Sequence, residues 1–152
     1  MRSGHEVEIK FRVADLETLT STLNSAGFRL ITPRTHETNT LYDLPGLTLR
    51  TRGALLRLRQ YGEKWTLTYK DKASNGGKHK SRPEIETRVE NGPAMDHILR
   101  SLGFEPVFSY EKFRSEWTDK QGHVVVDETP IGNFGEIEGE PKWIDRVAAK
   151  LG

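Results

Sequence analysis

Acids and bases recur at every second position along this chain. In HEVEIKFRV, residues 5–13, Glu6, Glu8 and Lys10 alternate with Val7, Ile9 and Phe11. Residues i, i+2 and i+4 of a strand share a face. An extended backbone therefore lines up two carboxylates and an ammonium. The same spacing puts Arg57 and Arg59 on one face of LLRLRQY, and Lys70 beside Thr66 and Thr68. It puts Arg82, Glu84, Glu86 and Arg88 together against Ile85, Thr87 and Val89. Lys112 and Arg114 flank Phe113, Asp127 ends VVVD, and Glu136, Glu138 and Glu140 alternate with Ile137 and Gly139.

Like charges two residues apart lie ~7 Å from each other on a strand face. Glu6 with Glu8, Glu136 with Glu138, and Arg57 with Arg59 are self-repulsive unless something of opposite sign sits between them. Paired carboxylates suit Mg²⁺ or Mn²⁺, which take hard oxygen ligands. Clustered arginine and lysine suit phosphate, which arginine can hold through two parallel hydrogen bonds. Both on one surface suggest a metal–polyphosphate site. The competing reading is a solvated face laced with weak surface ion pairs.

Other chemistries find less support. The five histidines, at 5, 36, 79, 97 and 123, show no zinc-ligand spacing. There is no GxSxG elbow and no phosphate-binding GxxxxGK[ST] loop. A retaining glycosidase needs paired carboxylates but not the arginines. Cysteine is absent, which excludes disulfides, thiolate metal sites and a cysteine nucleophile. Twenty-three basic and 22 acidic residues leave a net charge of +1, so no basic excess points to nucleic acid. Nothing resembles a signal peptide or an apolar run of membrane-spanning length. A cytoplasmic location away from the membrane is the default expectation.

The elements that must hold these charges can be read from the same alternation. Strand patterns cover residues 5–13, 54–61, 64–70, 82–90, 110–117, 123–127 and 134–140. DLETLTSTLNSAGF predicts a helix capped by Asp15, striped by Leu16, Leu19 and Leu23, and closed by Gly27. GPAMDHILRSLGF predicts a second, with Pro93 in its first turn and Gly103 at its end. A third starts at Pro141. EVEIKFRV followed by LNSAGF resembles PEIETRVE followed by LRSLGF, which suggests a duplicated strand–helix–strand unit. The third helix runs to the last residue with no extended segment after its glycine, so the C-terminal end looks cut short. DKASNGGKHKSRP, residues 71–83, reads as a mobile loop, or more sharply as a lid over an anion.

A chain of 152 residues is one domain by size. Seven or eight strands could turn their apolar faces outward under helices and line a closed barrel with the charges. Trp65, Trp117 and Trp143 and the phenylalanines fall in the apolar phase and belong to the core. Burying that many charges is costly, and pairing among them seldom repays it. A ligand of comparable charge is the better reason to keep them.

These residues resemble, in order, the motifs of the CYTH superfamily, the triphosphate tunnel metalloenzymes. Glu6-Val7-Glu8-Ile9-Lys10 looks like the family's N-terminal ExExK signature. NTLYD (39–43) resembles its N-T-Y-F-D element, although Leu41-Tyr42 replaces the usual aromatic pair. LLRLR carries an R-x-R pair, LTYK ends in Lys70, and RPEIE resembles R-x-E-x-E. EKFR supplies K-x-R, and VVVDETPIGNFGEIE the closing aspartate and E-x-E. The resemblance spans nearly the whole chain, treated as one CYTH-like domain over 1–152. A C-terminal segment that often carries a Ser-Tyr element has no counterpart.

The resemblance implies an α+β fold, an eight-stranded antiparallel β-barrel or tunnel with helices packed outside. It implies Mg²⁺ or Mn²⁺ held by Glu6, Glu8, Glu136 and Glu138. It assigns Lys10, Arg57, Arg59, Lys70, Arg82, Lys112 and Arg114 to triphosphate binding. Lys10, Arg57, Arg59, Lys70 and Asp127 would serve catalysis, with Glu84 and Glu86 completing the lining. The implied substrates are ATP, inorganic triphosphate or thiamine triphosphate, and a homodimer is an admissible assembly. TRGALLRLR, LTYKDK and KSRPEIE are closest to the class IV adenylyl cyclase branch, with a triphosphatase as the alternative. A polyphosphate- or nucleotide-binding module without turnover is the alternative from another class.

Overall fold

A computed structural model describes the backbone of residues 2–73 and 80–152, and the side chains of residues 7–73 and 81–152. It contains eight strands and four helices among the described residues. In chain order these are β1 (Arg2–Val13), α1 (Leu16–Ser25), β2 (Arg29–Asp43), α2 (Thr48–Thr51), β3 (Leu55–Tyr61) and β4 (Lys64–Lys70). There follow β5 (Lys80–Val89), α3 (Gly92–Ser101), β6 (Glu105–Thr118), β7 (His123–Thr129), β8 (Gly132–Glu138) and α4 (Pro141–Leu151). The strands run β1-β5-β4-β3-β2-β6-β7-β8 and close into an antiparallel barrel, the fold class expected above.

The sequence reading missed β2 and α2. The first eight residues of β2 are largely exposed, and pairing with β3 begins only at Glu37. Apolar–polar alternation cannot develop where neither face is covered. α2 is a single turn held by Asp43, whose carboxylate accepts from the backbone N–H groups of Leu44, Leu49 and Arg50. β6 starts earlier than expected, at Glu105, and β8 stops at Glu138. Glu140 therefore leaves the strand and occupies the N-cap position of α4, without a capping hydrogen bond from its side chain. Of the expected loop 71–83, residues 74–79 lie outside the described residues, and Lys80–Pro83 belong to β5.

The two long helix signals form for the reasons read from the sequence. Asp15 caps α1 by accepting from Glu17 N–H at 3.0 Å, and Asn91 caps α3 by accepting from Ala94 N–H at 3.0 Å. Gly27 (φ 86°) and Gly103 (φ 101°) take the left-handed conformation after each helix. There Phe28 N–H bonds Leu23 C=O, and Phe104 N–H bonds Leu99 C=O, each at 3.0 Å. Exchanging β1–β4 for β5–β8 leaves the strand order unchanged, which supports the duplicated unit.

The chain forms two compact units. One holds the later part of β2, then α2, β3, β4, β5, α3 and the start of β6. Its core is Tyr42, Leu58 and Leu99, with Leu56, Trp65, Leu67, Val89, Met95 and Phe104 packed on them. Trp65 lies so close to Gly92 that a Cβ there would come within 2.1 Å of the ring. The other unit holds most of β1, then α1, the start of β2, the rest of β6, β7, β8 and α4. Leu19 and Leu23 of α1, and Trp143, Ile144 and Val147 of α4, bury against Val124, Val126 and Ile137 of the strands. In both units the helices cover the strand faces that carry the apolar residues. The charges of the same strands are therefore on the opposite faces. No helix is long and apolar enough to cross a membrane among the described residues.

Candidate functional site

In the unit built on β1, β7 and β8, the β1–β8 ladder places Glu8 opposite Glu138, Lys10 opposite Glu136 and Arg12 opposite Phe134. The intervening Ile9 and Ile137 pair on the core face. Directly opposed carboxylates destabilise a bare ladder, and Glu8 is buried. Lys10 Nζ stands 3.8 Å from Glu136 Oε1. The position of Glu6 is on β1, but its side chain lies outside the described residues. Among the described residues no three His, Asp or Glu side chains gather into a metal-binding group.

Asp127 organises the cations of the same unit. It is 1% exposed and lies opposite Arg114 in the β6–β7 ladder. Arg114 donates through Nε to Oδ1 at 2.7 Å and through Nη2 to Oδ2 at 2.9 Å, while Lys112 Nζ donates to Oδ2 at 2.8 Å. Burial acts to raise the Asp127 carboxyl, but Arg114 and then Lys112 outweigh it and hold it below the usual value. Arg114 also reaches toward Glu136 Oε2, at 4.0 Å. One buried carboxylate thus holds two cations in fixed positions.

The other unit repeats the theme on β2–β5. The ladders set Asn39 opposite Arg59, Arg57 opposite Thr68, Thr68 opposite Glu86, and Lys70 opposite Glu84. Arg59 Nε donates to Asn39 Oδ1 at 2.7 Å and lies 3.0 Å from Glu37 Oε1. Asn39 Nδ2 donates to Glu37 Oε2 at 3.0 Å. Lys70 Nζ is 3.8 Å from Glu84, and Thr68 donates to Glu86. Arg57 differs from these neighbours. It is 9% exposed, and its Nε has no hydrogen-bond partner among the described residues. Leaving a guanidinium donor buried without a partner is costly, so an anion is the natural complement.

The predicted residues therefore separate by place. Arg57, Arg59, Lys70, Glu84 and Glu86 share one strand face of one unit, and Lys10, Lys112, Arg114, Asp127, Glu8, Glu136 and Glu138 share one of the other. Arg82 stands apart, since its guanidinium donates to the backbone carbonyls of Asp71 and Gly53. Sequence reasoning missed Glu37, although HETN already alternates an acid and an amide, and it reached Asn39 only as the first residue of NTLYD. It also placed the phenylalanines in the core, whereas Phe134, two residues before Glu136, shares the charged face of β8 and belongs to neither apolar cluster.

Residues 4–150 match the family profile described as the CYTH domain. A protein of Methanocaldococcus jannaschii with the provisional name adenylate cyclase is 29% identical over 138 residues, 88% of this chain and 75% of its own. A Vibrio parahaemolyticus structure, also provisionally an adenylate cyclase, superposes with a TM-score of 0.84 at 19% identity, covering 99% of this chain and 90% of that one. A Hippeastrum protein provisionally named an adenylyl cyclase, and described as having a dominant triphosphatase activity, gives a TM-score of 0.73 at 18% identity. That match covers 95% of this chain and 84% of the other. At such identities the structural matches speak for the fold.

Proposed function

Because the chain belongs to the CYTH domain family, we propose that it is a divalent-metal-dependent enzyme acting on a triphosphate, and that it cyclises ATP to cyclic AMP and pyrophosphate. The observation that carries the triphosphate reading is Arg57, a buried guanidinium whose Nε has no partner among the described residues, beside paired cations. The cyclase reading is supported by the phrasing of TRGALLRLR, LTYKDK and KSRPEIE and by the name of the archaeal relative.

The donor type suits a hard cation, although Glu8, Glu136 and Glu138 do not gather into a three-ligand group as they stand. Glu8 and Glu138 oppose each other across one ladder and Glu136 follows on the same face, an all-carboxylate set. These three and Glu6 would hold Mg²⁺ or Mn²⁺. When bound, the ion would neutralise phosphate charge and polarise the phosphorus under attack.

The chain's own groups do the rest. Arg57, Arg59 and Lys70 in one unit, and Lys10, Lys112 and Arg114 in the other, are the groups assigned to phosphate oxygens, whose holding would favour in-line displacement. Asp127 keeps Arg114 and Lys112 aimed. In cyclisation the 3′-hydroxyl oxygen bonds to the α-phosphorus, the bond to the bridging oxygen of pyrophosphate breaks, and the hydroxyl proton is released. The cationic donors stabilise the charge that grows on the leaving pyrophosphate.

Chromatography of the products formed from ATP, thiamine triphosphate and inorganic triphosphate, with Mg²⁺ or Mn²⁺, tests this. Cyclic AMP with pyrophosphate supports the cyclase. ADP with phosphate, or turnover confined to inorganic triphosphate, replaces it with a triphosphatase. Tight binding with no product makes the protein a binding module.

A further inference from the structure

One aromatic ring sits among the charges. Phe134 shares a face of β8 with Glu136 and Glu138. It lies opposite Arg12 of β1 on one side and Asp127 of β7 on the other. Three successive cross-strand pairs on this face are Glu8 with Glu138, Lys10 with Glu136, and Arg12 with Phe134. Along the strand the surface passes from two acids, to a mixed pair, to a cation and a ring.

Phe134 belongs to neither apolar cluster, whereas Phe11, on the other face of β1, packs into one. The neighbours of its ring are cations. Lys10 Nζ lies 5.8 Å and the Arg12 guanidinium carbon 5.5 Å from its centroid. A half-buried phenyl that joins neither apolar cluster and sits on a charged face is costly to keep for structure alone.

We infer that Phe134 is the stacking surface for the heteroaromatic base of a nucleoside triphosphate. Positions two apart on a strand are ~7 Å from each other, so Phe134 stands ~14 Å along β8 from Glu138. That is the order of reach from the outer phosphate to the base of an extended nucleotide. Cation-binding acids, phosphate-binding cations and a π-surface then follow in the order in which a metal-bound nucleotide presents its parts. Arg12 is exposed and free to cover the second face of the base, as guanidinium groups do on aromatic systems. This inference rests on the triphosphate reading above and narrows it to nucleotides over inorganic triphosphate.

The test is titration calorimetry of the full chain with the methylene-bridged analogues of ATP and of inorganic triphosphate, each with Mn²⁺. Phe134→Ala and Phe134→Leu should weaken the nucleotide analogue roughly 5- to 100-fold, the range of a lost base–aromatic stack, and leave the triphosphate analogue within about twofold. Phe134→Trp should restore nucleotide binding. Equal losses for both ligands, no loss for the nucleotide, or full nucleotide binding by Phe134→Leu would each overturn the assignment. A wild-type protein that binds the triphosphate analogue but no nucleotide overturns this inference alone. One that binds neither overturns the triphosphate reading and this inference with it.

Discussion

Arg57 and Arg59 sit two residues apart on one face of β3, yet their side chains meet different surroundings. Arg59 is tied to Glu37 and Asn39, and Glu37 is fully buried. Arg59→Ala removes the cation from a buried pair, which typically costs about 3–5 kcal/mol. Denaturant melts should show that loss directly. Arg57 has no such tie through Nε, so Arg57→Ala should leave the melt unchanged or raised. It should weaken triphosphate binding about tenfold or more, the scale of a lost charge-assisted hydrogen bond. If Arg57→Ala unfolds the chain and Arg59→Ala does not, the contributions of the two arginines to stability have been assigned the wrong way round. Asp127 makes a prediction in pH. Its folded-state value is held below the ordinary carboxylate value despite burial. Its contribution to stability is therefore present above the unfolded value, about 3.9, and is lost as pH falls through the lower folded value. Asp127→Asn should lower the melting temperature at neutral pH and flatten its fall between about pH 6 and pH 2. A variant as acid-sensitive as the wild type would show that Asp127 is not the group responsible.

At the scale of elements, what could be read depended on whether a face is covered. β3, β4, β7 and β8 alternate because helices bury one face, and their charges therefore stood out in the sequence with the right phase. β2 begins as RLITPRTHE, with Pro33 and little burial, and left no such trace. The ion pairs were not legible at all. Arg59 finds Glu37, and Lys112 finds Asp127, only through ladder registers that join distant segments. For the same reason the sequence marks Arg57 and Arg59 alike, while the fold separates them. The resemblance reached Asp43 as the end of NTLYD, but its work became visible only with α2. A four-residue helix has almost no intrinsic stability, and Asp43 accepts from two of its leading N–H groups, those of Leu49 and Arg50, as well as from Leu44 N–H before it. Asp43→Ala should cost roughly 2 kcal/mol, within the range for lost caps and orphaned amides. Amide exchange should speed up at Leu49 and Arg50 while the α1 amides stay protected. Uniform speeding everywhere would mean that Asp43 supports the whole fold and not the turn.

On the scale of the whole molecule, acids and bases nearly cancel in number, and within each unit they also pair in space. The apoprotein should therefore fold without its ligand, because most buried charges already have a partner within their own unit. A ligand that binds this state and not the unfolded chain adds stability by mass action, about 2.7 kcal/mol at a hundred times Kd. For a chain of this size each kcal/mol moves the melting temperature by about 2–4 °C, so saturating triphosphate with Mn²⁺ should raise it by roughly 5–10 °C. Mn²⁺ alone meets only the carboxylates and should give a smaller rise, which Glu8→Gln should remove. The shift with triphosphate should shrink in Arg57→Ala while the melt without ligand stays where it was. Thermal scans of the two variants, each with and without ligand, check both statements at once. A wild-type protein whose melting temperature ignores triphosphate and metal together has no charged ligand of this class, and its ionic faces are then structure for their own sake.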